Sequence, residues 1–246
     1  MSAREVTQRE RLARARAALD ALPGDLRDTL VLPGQLRSQG EGAGSVPGAA
    51  RRGALPVADA VREVAPEGLP RGGVVTVTGS TSVLLALAGQ ASRDGEWVAW
   101  VGMPHVGVLA AVRHGIDLSR LVLVPHPGTH TPAVIAACVE GMGVVVAGPQ
   151  LPLSAAQQRR LASRVKVRGT VLLSASPWPG ARLEVEVTQM RWQGLGAGEG
   201  RLRERRMAVT VRERGHSDRH TVIALAGEVP AWSAEVVAVT PPQEVA

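Results

Sequence analysis

Apolar positions along this 246-residue chain change period twice. Residues 7–22, TQRERLARARAALDAL, carry Leu12, Ala15, Leu19 and Leu22 on one stripe at helical spacing, with Thr7 placed to cap the helix and Glu10 to complete a capping box. The opposite face of this predicted helix is rich in arginine. From Pro23 to Ala54 the chain collects Gly, Pro, Ser and polar residues with little to bury, a composition that predicts a flexible linker.

Pattern resumes at Leu55 with a short helix and a loop, followed by an apolar strand at Val74–Thr78, a turn at Gly79–Ser82 and a helix at Val83–Ala91. A second buried strand, Trp97–Val101, completes a β-turn-α-β unit. The scheme then repeats: helix Val106–His114, strand Leu121–Val124, helix Pro132–Met142, strand Val144–Val146, helix 153–165 and strand 170–176. Continuous apolar strands alternating with helices predict a mostly parallel sheet covered on both faces. Beyond residue 182 the period shifts to two: RLEVEVTQMRW (182–192) and RLRERRMAVTVRER (201–214) flank a glycine-rich turn, which predicts antiparallel strands finishing one edge of the sheet. The expected organisation is an N-terminal helix with linker at 1–55, an α/β core at 56–225 and a tail at 226–246.

Composition sharpens this picture only in places. Apolar residues make up 45% of the chain, with no Phe or Tyr, so Val, Leu, Ala and Ile must fill the core. A net charge of +6, with Lys166 the sole lysine among 28 basic residues, is compatible with a polyanionic partner as well as with an ordinary arginine-rich surface. Cys138 is the single cysteine. It excludes an internal disulfide and a thiolate metal cage, and its apolar surroundings predict a small buried residue. The charged N-terminus does not read as a signal peptide and no apolar run reaches spanning length, so a cytoplasmic protein, associated with the nucleoid and not with membrane, is expected.

GGVVTVTGSTSVLLALAG (72–89) has the strand, glycine turn and helix of a phosphate-binding loop. In such loops, glycines let amides curl round phosphate, a lysine reaches the terminal phosphates and a hydroxyl holds magnesium. Counting from Gly79 places Leu84 at the second glycine, Leu85 at the lysine and Ala86 at the hydroxyl. Gly79, Ser80, Thr81 and Ser82 thus form a degenerate loop, better suited to capping a helix than to holding nucleotide, and no cofactor is expected.

GLPRGGVVTVTG (68–79) resembles the segment leading into the ATPase core of RecA-type recombinases. The downstream order agrees: WVAWVG, then VRHGIDLSRLVLVPHPG, a helix, a valine-rich strand at 144–146, and paired strands over 182–214. The likeness covers about residues 56–215 and implies a RecA-like core. Its departures are systematic. Pro104 stands where that family carries a catalytic glutamate, and Ala147 and Gly148 where it carries the metal-binding aspartate. With lysine, hydroxyl and both carboxylates missing, ATP hydrolysis by the usual phosphoryl-transfer arrangement is not expected.

A RecA-like core so altered, with an N-terminal helix and a basic hairpin, is similar to the ImuA family, especially its actinobacterial branch. That resemblance implies a non-enzymatic accessory factor of damage-induced mutagenesis and translesion synthesis. The implied partners are an ImuB-like Y-family polymerase homologue and an error-prone C-family DNA polymerase, with single-stranded DNA and RecA as further candidates. Arg201, Arg203, Arg205 and Arg206 on the predicted hairpin are the candidate DNA contacts, with Trp192 nearby for base stacking; a charged edge strand that resists aggregation is the competing reading. Leu12, Ala15, Leu19 and Leu22 are the first candidate partner-docking stripe and the tail from Glu228 the second. Two other functions stay open: an SOS cell-division inhibitor resembling SulA, and an enzyme with an atypical nucleotide site at GSTS.

The remaining constellations carry less. His105, His126 and His130 follow neighbouring strands, but their loop spacing and lack of a supporting carboxylate argue against zinc. Ser174 and Ser176 lack a nucleophile-elbow pattern. Trp97 and Trp100 are expected on opposite faces of their strand, both packed under helices, whereas Trp178 joins Trp192 as a better exposed candidate, with a place in the core as the default for both.

Overall fold

The computed structural model describes residues 53–196 and 199–226, together with Ala13 and Ala17, both exposed and in helical backbone. The Leu12, Ala15, Leu19 and Leu22 stripe and the tail from Glu228 lie outside the described residues.

Ten strands and four α-helices follow one another in the described core. β1 (Ala54–Leu55) and β2 (Leu69–Pro70) form a small antiparallel ribbon. The strands β3 (Val74–Thr78), β4 (Val98–Val101), β5 (Leu121–Val124), β6 (Val144–Ala147) and β7 (Val171–Ser174) are parallel, and β8 (Leu183–Gly196), β9 (Glu199–Glu213) and β10 (Arg219–Ala226) add an antiparallel edge. Together they make one eight-stranded sheet in the order β10-β9-β8-β3-β7-β6-β4-β5. Strand β8 joins the two regions by pairing parallel to β3. This is the α/β architecture expected from the sequence and is consistent with a RecA-like core.

Why the sheet is doubly covered follows from the residue pattern. Every residue of β4, β6 and β7 is buried, because valine and leucine face both ways and each face has its own helical layer. Helix α1 (Thr81–Arg93), helix α2 (Val108–Arg113) and the segment from Leu55 to Leu69 close one core with Val75, Val77, Trp100 and Val146. Helices α3 (Thr131–Gly141) and α4 (Ala155–Arg168) close the other with Trp97, Val145 and Leu172. Trp97 and Trp100 do fall in different layers, 3% and 1% exposed. Helix α4 begins with a capping box between Ser154 and Gln157 and ends on left-handed Gly169, so its limits are set locally.

The chain after β7 supplies what the parallel sheet lacks. Val185, Met207, Val209, Val211 and Ile223 extend the first core onto the antiparallel strands. The β8–β9 pairing continues well past Thr78, the last residue of β3, to Gly196 opposite Glu199. Ten residues at about 3.3 Å each carry the hairpin ~33 Å beyond the carboxyl edge of the parallel strands.

Candidate nucleic-acid interface

Ligands of open α/β sheets bind outside the carboxyl ends of the strands. At the first such end, only Gly79 and Ser80 separate β3 from α1. A phosphate cradle needs several residues of loop whose amides converge, and none are present between these elements. Leu84, Leu85 and Ala86 lie inside α1, 1%, 2% and 3% exposed, packed into the core beneath the sheet. The glycine has a different use from phosphate contact: Gly79 has φ of +85°, and a Cβ there would stand 2.7 Å from the Val187 carbonyl oxygen. It lets β8 pass close by.

The expected cap is not formed either. Ser80 is the N-cap residue with extended backbone, but its side chain makes no capping hydrogen bond and its Oγ donates instead toward the Met207 sulfur at 3.6 Å. This contact places Met207 of β9 against the start of α1.

The ends of β4 and β6 are closed by packing, whereas a cavity of about 610 Å3 lined by Thr78, Trp178, Glu186 and Arg212 lies beside the ends of β3 and β7. The amides of Gly102, Gly148 and Ala175 each donate to the adjacent strand, to Val124, Val101 and Ala147 at 2.8 Å, so the sheet ladder consumes donors at this edge. Leu151 folds over Gly102, and Gly148 lies against the Gly102 carbonyl. Ala147 is fully buried and Pro104 exposed. Ser174 is buried with its Oγ donating to the Ser176 carbonyl at 2.8 Å. His105 and His126 are exposed and His130 precedes α3, and no group of three or more His, Cys, Asp or Glu side chains is placed to hold a metal among the described residues. Cys138 is buried, which pushes its thiol up to about 12.

The hairpin holds the exposed chemistry. Trp192 on β8 pairs across to Arg205 on β9, and the Arg205 guanidinium lies 5.2 Å from the indole centroid. The ring is 49% exposed, beside Met190 at 41%. Arg205 shares the face of Met207 and Val209; its Nε is buried without a hydrogen-bond partner, and burial lowers its proton affinity. It also depresses the pKa of His114, after burial itself and ahead of Arg113. Arg205 thus lies against the indole, with its Nε turned inward. Arg206 points to the other face, where register sets it opposite Arg191 and where Glu204 pairs with its Nε at 2.8 Å. Arg212 bridges Glu186 and Asp218, both at 3.2 Å. Arg201 and Arg203 are on β9, with side chains outside the described set.

Trp178 takes the default place in the core and is not an exposed candidate. It is 4% exposed, wedged into the second core with its Nε1 donating to the Gln158 carbonyl at 3.2 Å. The two flanking prolines turn the loop inward over α4, so Trp192 alone of this pair is available for stacking. Sequence reasoning also passed over β10, which covers Met207 and Val209 and carries the first core outward.

Among the described residues no helix is long and apolar enough to cross a membrane. Over residues 63–180 the chain matches the family described as MT3502 N-terminal domain. It is also 38% identical over 117 residues to the protein named Uncharacterized protein Rv3395c of Mycobacterium tuberculosis, a match that covers 47% of this chain and 57% of that relative. The chain thus aligns with little more than half of the relative's length. The family match takes in β3 to β7 and stops short of the hairpin, which starts at Leu183. Both similarities fit an actinobacterial family, and the family match covers the helix-covered parallel part of the sheet.

Proposed function

We propose that this chain is an ImuA-like accessory protein of damage-induced mutagenesis that uses a RecA-like core as a shape for protein contacts and not as an ATPase. In this role it bridges an ImuB-like Y-family homologue and an error-prone C-family polymerase, and it touches single-stranded DNA through its hairpin. The observation that carries the reading is the burial of Leu84, Leu85 and Ala86 in a helix that starts two residues after the strand. Phosphoryl transfer needs fixed positive charge and a metal around the phosphates, and a leucine-alanine surface supplies neither. The half-exposed Trp192, with one side engaged by Arg205, supports the nucleic-acid part, because stacking on an indole is tolerant of base identity.

The test is affinity capture of the tagged full chain from actinobacterial cells before and after DNA damage, with quantification of the Y-family homologue and the C-family polymerase. Damage-dependent enrichment of both is expected. Recovery of cell-division proteins without either polymerase subunit would replace this reading with that of a division inhibitor.

A further inference from the structure

Helices α3 and α4 pack side by side on the second core and leave a groove of about 700 Å3 between them. Its floor is apolar: Pro132, Ala133, Ala136 and Ala137 from α3, and Leu161 from α4. Its α4 wall is an arginine ladder, Arg160, Arg164 and Arg168, at successive i,i+4 positions on one face. Glu140 pairs with Arg168 at 2.6 Å and closes one end. Arg160 and Arg164 are exposed and make no ion pair within the described residues. An apolar trough edged by two uncompensated guanidinium groups fits an apolar segment carrying carboxylates.

Nucleic acid fits less well. No aromatic side chain lines the groove to stack a base, the floor offers alanine methyls, and the Glu140 carboxylate would face a phosphate. The sequence holds a segment with the required chemistry. Residues 227–246, GEVPAWSAEVVAVTPPQEVA, contain Glu228, Glu235 and Glu244, no basic residue, and the apolar set Trp232, Val236, Val237 and Val239.

The topology brings the two together. β10 runs in the same direction as β8, and β8 runs parallel to β3, so β10 ends toward the carboxyl edge of the sheet. Helices α3 and α4 start at that same edge, after β5 and β6, so Pro132 and Arg160 open the groove there. From β10 to β6 the sheet order crosses five strand spacings, ~24 Å at about 4.8 Å each. The β10 terminus, opposite Glu204 and hence near Gln193, overshoots Thr78 by seven residues of β8, ~23 Å at about 3.3 Å each. Twenty residues extend to ~66 Å, ample for the path.

We infer that the chain's own segment 227–246 docks in the α3–α4 groove, its carboxylates on Arg160 and Arg164 and its Trp/Val residues on the alanine floor. This assignment is independent of the proposed function. The occupied groove would shield the only uncompensated pair of cations on that α4 face.

The test uses the full chain with a nitroxide on Thr240→Cys; Cys138 is buried and will not take the label. Paramagnetic broadening of the 15N amides of Ala133, Ala137, Arg160 and Arg164 is expected, with Val108–Arg113 on the opposite face as the unbroadened reference. R160E/R164E should abolish it, E228R/E235R should abolish it without touching the described core, and combining the two should restore it. Broadening that is uniform, directed elsewhere, or indifferent to both reversals would overturn the inference. So would broadening of a 15N chain by a separate spin-labelled chain, which assigns the groove to a second copy. An oligothymidylate that shifts the α4 amides equally in wild type and E228R/E235R would assign the arginines to nucleic acid and also overturn it.

Discussion

Single residues decide what this carboxyl edge can do. Trp192 offers an indole with Arg205 held 5.2 Å from its centroid, so the cation polarises the ring while the exposed half remains for a base. Trp192→Ala is predicted to weaken single-stranded DNA binding about tenfold, the ~1–3 kcal/mol of one stacked base, with little change in thermal stability because the ring is half exposed. Fluorescence anisotropy with a labelled oligonucleotide reads the first, and unchanged affinity would move the DNA contact off the hairpin. His114 gives a second residue-scale prediction. Burial, Arg205 and Arg113 lower its pKa below 6.5, so the unfolded chain takes up the proton first as pH falls. The folded state then loses stability as pH drops below about 6.5, and the loss stops once the folded imidazole also titrates. Urea midpoints between pH 7.5 and 5 should show this decline, and His114→Gln should flatten it.

At the scale of elements, the strands and helices of the parallel region were legible because the buried strands are unbroken Val/Leu runs and Gly residues punctuate them. The antiparallel edge was legible in β8 and β9 from their alternation. Strand β10 was not, since RHTVIALA leaves Val222 62% exposed and shows no clean alternation. The pairing of Trp192 with Arg205 was also hidden, because register shifts between Val187 and Gln189 and between Gln193 and Leu195 reset which residues face each other. The inward turn of Trp178 depends on a loop between prolines, which no periodicity describes. Helix α1 is where sequence and structure meet most usefully: counting the motif put Leu85 at the lysine position, and its side chain is 2% exposed. Leu85→Lys is therefore predicted to cost at least about 3 kcal/mol in chemical denaturation, by burying an unpaired ammonium, and to confer no nucleotide binding. A stable variant that acquires ATP affinity would mean that the helix can open into a loop.

The described core is a doubly covered parallel sheet in which the first strand runs through two residues into a buried helix, and whose antiparallel hairpin reaches past the carboxyl edge. The family match ends at residue 180, ahead of the projecting hairpin that starts at Leu183. Such a division suits a protein that keeps an ATPase shape for contacts while placing its exposed aromatic and cationic side chains elsewhere. Calorimetric titration of the full chain with ATP and magnesium tests this most directly. The account predicts no saturable heat up to about 1 mM nucleotide, a ceiling of ~4 kcal/mol of binding; saturable binding at micromolar concentration would contradict it.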